Sequence, residues 1–115
     1  MIRKAEDMAS EIREGMRGGK GKIQIDHIFK NDEFKGKARL CARITLEPGA
    51  SIGFHEHKDE DEIYHFISGK GIVNDDGKEH ELTAGDSVLT CGGNSHSVEN
   101  TGNGPLVFLA VILLH

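Results

Sequence analysis

From Lys22 onward the apolar residues fall on every second position, and turn-forming residues cut the pattern into short runs. A period of two is the signature of a strand with one buried face, because successive side chains point to opposite sides of a sheet. "KIQIDHIF" sets Ile23, Ile25, His27 and Phe29 on one face. "KARLCARITLE" sets Ala38, Leu40, Ala42, Ile44 and Leu46 on one face, and Arg39, Cys41, Arg43 and Thr45 on the other. Further strands are expected at about 52–57, 62–68, 70–74, 78–82, 86–90, 95–99 and 105–114, separated by "EPGA", "KDED", "DDGK", "TAGD", "CGGN" and "NTGNGP". Short strands joined by Gly/Asp/Asn turns predict an all-β fold, an antiparallel sandwich or barrel of the jelly-roll kind. The final run, "LVFLAVILL", is apolar on both faces, so a second layer or a partner subunit is expected to cover it. It is too short to span a bilayer as a helix.

The first residues read differently. In "KAEDMASEIREGM" the spacing of Ala5, Met8, Ala9, Ile12 and Met16 predicts a short amphipathic helix, which "RGGKG" then ends. The chain thus divides into an N-terminal helix with a Gly-rich arm, residues 1–21, and a single β-barrel domain, residues 22–115. A length of 115 residues supports one core. Fourteen basic against nineteen acidic residues, a formal charge of −5, argue against nucleic-acid binding, as does the lack of tryptophan. No apolar signal segment opens the chain, and Cys41 and Cys91 are isolated thiols, so a cytoplasmic protein with reduced cysteines is expected.

Chemistry concentrates in "GFHEHKDEDEIYHFISGKG", residues 53–71. His55 and His57 share a strand face. "KDED" reads as a four-residue hairpin loop, which sets His57 opposite Glu62 and His55 opposite Tyr64 and brings two imidazoles and a carboxylate together. Glu60 shares the parity of Glu62 and is the fallback ligand, whereas Asp59 and Asp61 read as solvated turn residues. A third histidine is available in "GDSVLTCGGNSHSVEN", residues 85–100.

Together these stretches resemble the cupin family. The first cupin motif is matched by Gly49, His55, His57, Glu62 and Gly69, the second by Gly85, Gly93, His96 and Asn100. The departure is Cys91, where the family usually has proline, which bears on the rigidity of that turn and not on a ligand. The resemblance implies a double-stranded β-helix, or jelly-roll barrel, in which His55, His57, Glu62 and His96 bind one divalent transition metal. Three imidazoles and a carboxylate suit Mn, Fe, Co, Ni or Zn. It also implies one or two open coordination positions for a small oxygen-bearing molecule.

Cupins include dioxygenases, decarboxylases, isomerases and lyases, so the expectation is a small metalloenzyme of unassigned reaction, with Tyr64 as the nearest candidate proton donor. Oxalate-type decarboxylation usually goes with a duplicated barrel, and this chain has a single motif pair. The alternative is a non-catalytic binder of a small ligand, a sensor or carrier. No nucleic acid or membrane partner is expected, and a homodimer is, since the doubly apolar last strand and the amphipathic N-terminal segment both need cover. Other polar residues are assigned plainer roles. His27 is a core or interface histidine, His65 points away from the site, and His80 and His115 are solvated. Arg13, Arg17 and Lys20 face solvent unless an arm folded over a neighbouring barrel delivers Arg17 to a site. Arg39 and Arg43 reach a ligand only if their face turns inward.

Overall fold

The computed structural model describes residues 1–115 and contains ten strands in two antiparallel sheets. The strands are β1 (Ala9–Glu14), β2 (Lys22–Phe29), β3 (Ala38–Leu46), β4 (Ser51–Glu56), β5 (Glu60–Ser68), β6 (Lys70–Asp75), β7 (Lys78–Thr83), β8 (Ser87–Thr90), β9 (Ser95–Asn100) and β10 (Leu106–Leu114). A six-stranded sheet has the order β1-β2-β3-β10-β5-β8 and a four-stranded sheet the order β4-β9-β6-β7. Every strand expected from the period-two runs is present within two residues of its expected bounds. The architecture is the jelly roll, two sheets whose inner faces close on one core.

That core is filled by the alternating residues of both sheets. Ile23, Ile25, Ala42, Ile44, Leu46, Tyr64, Phe66, Leu106, Phe108 and Ala110 come from the six-stranded sheet, facing Ile52, Val73 and Val98 from the four-stranded one. On β10 the inner residues Leu106, Phe108, Ala110 and Ile112 are buried, while Val107, Leu109 and Val111 on the outer face are partly exposed. The second sheet therefore covers one half of the doubly apolar strand and leaves the other half partly open.

Two expectations are corrected. The amphipathic helix over residues 4–16 is absent: only Ala5–Asp7 forms a 3-10 turn, and Ala9–Glu14 is β1. A lone helix of this length is marginal in water, whereas the free edge of β2 offers a continuous backbone ladder, from Ala9 opposite His27 to Glu14 opposite Lys22. The second correction concerns "KDED". β4 pairs with β9 and β5 pairs with β10 and β8, so residues 57–59 carry the chain from one sheet to the other and close no hairpin.

Candidate metal centre

Side-chain direction on the strands is reset by four β-bulges. On β4, Ile52 lies opposite Val98 but His55 lies opposite His96, so Gly53 and Phe54 together span one partner residue. Plain alternation would send Ile52 and His55 to opposite faces. The extra residue turns both inward, Ile52 into the core at 1% exposure and His55 towards the cluster, and leaves Phe54 outside. On β3, Leu40 lies opposite Ile112 and Ala38 opposite Leu113, so Arg39 is the supernumerary residue. It leaves the outer face it shares in sequence with Cys41 and Arg43 and binds Glu60 with two hydrogen bonds, Nε to Oε2 at 2.7 Å and Nη2 to Oε1 at 2.8 Å. A third bulge skips Ile28 on β2 and a fourth skips Ile67 on β5.

His55 and His96 come from neighbouring strands of the four-stranded sheet, His57 from the residue after β4, and Glu62 from β5 in the opposite sheet. Their ligand atoms all lie within 4.8 Å of one another. His57 Nε2 is 3.1 Å from His55 Nε2, 3.0 Å from His96 Nε2 and 2.8 Å from Glu62 Oε1, and His96 Nε2 is 3.0 Å from the same oxygen. The expected four residues do converge, but across the gap between two sheets, not along one hairpin.

The outer nitrogens explain why the inner ones meet. His55 Nδ1 is 2.7 Å from the Gly53 carbonyl, His57 Nδ1 is 2.6 Å from Glu60 Oε1, and His96 Nδ1 is 2.8 Å from Thr90 Oγ1. The Gly53 carbonyl and the Glu60 carboxylate only accept, so Nδ1 of His55 and of His57 donates. The Thr90 hydroxyl can accept from His96 in the same way, and with that tautomer each Nε2 can present a lone pair inward. Glu62 Oε1 is buried among them with no hydrogen-bond partner. Four electron-rich atoms around one point repel each other unless a cation is shared. Donors at right angles around a cation at about 2.1 Å are about 3.0 Å apart, close to the four separations just given. The residues present therefore fit a metal ion, and the cluster can hold one.

Burial and neighbouring charges act differently on the four groups. Burial pushes the His55 imidazolium below its ordinary value, which keeps this ligand neutral. Burial opposes charge on His57 too, but contacts with Glu62 and Glu60 outweigh it and raise its value. Burial alone would raise the Glu62 carboxyl; His57 and His96 overcome that and hold it down. Arg39 holds Glu60 down to about 2, with His57 adding to the effect against partial burial. Glu60, the fallback ligand of the sequence reading, thus stands behind His57 and not at the cluster.

The cluster opens into a cavity of about 280 Å³. Met16, Ile25, Leu40, Ile44, Ile52 and Ile112 form apolar walls, and His55, His57, Glu62 and Tyr64 line it from the cluster side. Glu11, Arg13, Arg17, His27 and Arg39 supply the remaining polar lining. His27 is on the inner face as expected, 3.3 Å from Glu11 Oε1, and it lines this cavity instead of packing in the core. Tyr64 is buried, with its hydroxyl 3.4 Å from His96 Nε2 and its ring stacked on that imidazole at 4.8 Å. Burial, reinforced by the Glu62 charge, pushes its phenol well above the ordinary value, so it keeps its proton.

Other expectations resolve as follows. His65 is exposed and bonded to Ser87, and His80 is exposed. His115 and Asp61 are not freely solvated: Asp61 Oδ1 accepts from Gly92 N–H and lies 2.9 Å from His115 Nε2, tying the turn of the second motif to the start of β5. Cys91 is exposed in that turn. The turn is held by backbone bonds between Gly93 N–H and the His57 carbonyl and between His57 N–H and the Asn94 carbonyl. Arg43 remains away from the cavity and pairs with buried Asp26 at 3.2 Å. The supporting residues Glu60, Thr90 and Arg39 were not legible as such. Glu60 carried a parity signal, but Arg39 depends on a bulge that alternation does not reveal.

The family pattern described as "Cupin domain" matches residues 42–112. An oxalate-binding protein of Thermotoga maritima is 45% identical over 114 residues, covering 99% of this chain and 94% of that protein. The oxalate decarboxylase of Bacillus subtilis is 35% identical over 91 residues, 74% of this chain but 24% of the enzyme. A crystal structure described as a predicted oxalate decarboxylase from Thermotoga maritima superposes with a TM-score of 0.96 at 44% identity, covering 100% of both chains.

Proposed function

The chain belongs to the cupin domain family, and from that premise we propose that it binds a small carboxylate anion of the oxalate class at one divalent transition metal held by His55, His57, Glu62 and His96. The observation that carries this reading is the meeting of three imidazoles, each anchored through Nδ1, with the partnerless Oε1 of Glu62 at one largely buried point. The metal, when bound, supplies a Lewis-acidic centre that attracts and polarises an anionic oxygen. Mn, Fe, Co, Ni and Zn all suit such a nitrogen and oxygen set. The chain itself supplies the rest: a small apolar-walled cavity that limits ligand size, and arginines that favour an anion. The oxalate class is suggested by the names of two relatives.

A second reading is that the bound anion is turned over. It is favoured by Tyr64, whose protonated hydroxyl sits beside the cluster and is the nearest proton donor to it. One set of measurements tests both. Protein purified without chelator or tag is assayed for metal, titrated with oxalate in a calorimeter, and incubated with oxalate while the acid is quantified. Stoichiometric metal, lost in His57→Ala and His96→Ala, and oxalate binding that disappears with the metal, support the proposal. Folded, metal-free wild type, or metal-loaded protein that ignores oxalate, sinks it. Depletion of oxalate that Tyr64→Phe abolishes supports turnover; unchanged oxalate leaves a binder.

We propose further that the protein works in a reducing compartment such as the cytoplasm, in keeping with its two free thiols, and as a homodimer. Ile63, Val107, Leu109 and Val111 form a partly exposed apolar face on the six-stranded sheet, and Ile12 on edge strand β1 is 67% exposed. A monomeric mass by light scattering at micromolar concentration would refute the dimer.

A further inference from the structure

The glycine-rich segment between β1 and β2 folds back over the barrel of its own chain. Gly15 N–H donates to the Gly21 carbonyl and Ser51 N–H to the Lys20 carbonyl, which closes the segment and fixes it to β4. The contact is backbone on backbone. A Cβ on Gly19 would stand 2.1 Å from the Ser51 carbonyl oxygen, and one on Gly53 would stand 2.0 Å from the Arg17 carbonyl oxygen. Only glycine at both positions permits this approach. Met16 packs against the core, and Arg17, with φ of 54°, is held in the left-handed region that side chains other than glycine seldom adopt. Strain of this kind persists only where the surroundings enforce it, and it gathers at functional sites.

The segment thereby puts Arg17 on the wall of the cavity that contains His55, His57 and Glu62. Its charge is unmatched there. Arg3 pairs with Glu33, Arg13 with Glu11, Arg39 with Glu60 and Arg43 with Asp26. Arg17 alone among the five arginines makes neither an ion pair nor a side-chain hydrogen bond. Arg17 is exposed at this wall, with a strained backbone and an unpaired guanidinium, and a guanidinium free at the mouth of a small cavity can grip an anion.

We infer that Arg17 is the specificity-determining residue of the site, gripping the second carboxylate of a small dicarboxylate whose first carboxylate lies at the metal cluster. This rests on the carboxylate-binding reading above, and it assigns the choice of dianion over monoanion to a segment outside the metal-binding motifs. The fork geometry of arginine fits a free carboxylate with two parallel hydrogen bonds, which a monocarboxylate bound through its only acid group cannot offer.

The test uses the full chain loaded with the metal found on purification, titrated calorimetrically with oxalate and, separately, with formate. Arg17→Ala is expected to weaken oxalate by about ten-fold or more, to change formate by less than about two-fold, and to leave metal content and thermal melting unaltered. Gly19→Ala, which keeps the arginine but cannot dock the segment, is expected to lose oxalate affinity in the same way, and Arg17→Lys to recover part of it. Unchanged oxalate affinity in Arg17→Ala overturns the assignment while the carboxylate reading survives. An equal loss for formate and oxalate overturns it as well, making Arg17 a general attractor of anions. Wild type that binds neither acid removes both the inference and the reading beneath it.

Discussion

The three imidazoles of the cluster differ less in what they present than in what holds them: a backbone carbonyl behind His55, a carboxylate behind His57, a hydroxyl behind His96. The carboxylate is the strongest of these, and it is itself fixed by both nitrogens of the Arg39 fork. Glu60→Gln preserves shape while weakening the hydrogen bond that orients His57 and strengthens its donor nitrogen. Metal affinity should fall about 10- to 100-fold, with the fold retained, in a competition assay against a chromogenic chelator. An unchanged affinity would show that Glu60 serves only to place Arg39. At this scale the ligands were legible and their supports were not. His55, His57, Glu62 and His96 stand at spacings that belong to a motif. Thr90 and Glu60 matter because of rotamers and neighbours in space, which spacing does not record.

Alternation located the elements well because each strand buries one face, and a one-residue slip would carry its apolar side chains into water. The same rule fails wherever a bulge adds a residue. Ile52 and His55 are an odd number apart yet both point inward, and Arg39 and Cys41 share parity yet diverge. The sequence carried a hint at the first of these, since Gly53 stands between Ile52 and Phe54 inside a strand, and glycine within a strand often marks a bulge or a close backbone approach. Here it marks both, because the Arg17 carbonyl rests against it. The N-terminal segment shows the opposite failure. Its helical spacing of apolar residues is real, but Ile12 remains exposed and the segment is held by the β2 edge ladder and by Arg3, whose guanidinium binds Glu33. Backbone pairing outweighed a weak local preference. The "KDED" turn was misread because a crossing between sheets and a hairpin use the same residues, and Asp59, at φ of 58°, suits either.

The two sheets are joined on their inner faces by packing and, at one end, by the ligand cluster. Phe66 and Phe108 pack at 5.3 Å between ring centres, Tyr64 lies 4.5 Å from Phe108, and Tyr64 in turn stacks on His96. This aromatic chain runs from the centre of the core to the cluster, so the chemistry rests on the most buried part of the molecule. Glu62 belongs to one sheet and the histidine ligands to the other side. A cation bound by all four would therefore staple the layers, and removing it would leave Glu62 Oε1 facing three lone pairs. Metal at about 100 times its dissociation constant should stabilise the fold by about 2.7 kcal/mol, because the unfolded chain lacks the assembled site. For a domain of this size that corresponds to a rise in melting temperature of about 10 °C. Scanning calorimetry of chelator-treated protein with and without added metal measures it directly. The shift should vanish in His96→Ala, where the stack on Tyr64 is lost too and the metal-free protein itself melts lower. It should also be small in Glu62→Gln, which keeps the histidines but weakens the link to the six-stranded sheet. A metal-induced shift of equal size in Glu62→Gln would mean that the three histidines hold the ion alone and that the cation does not bridge the sheets.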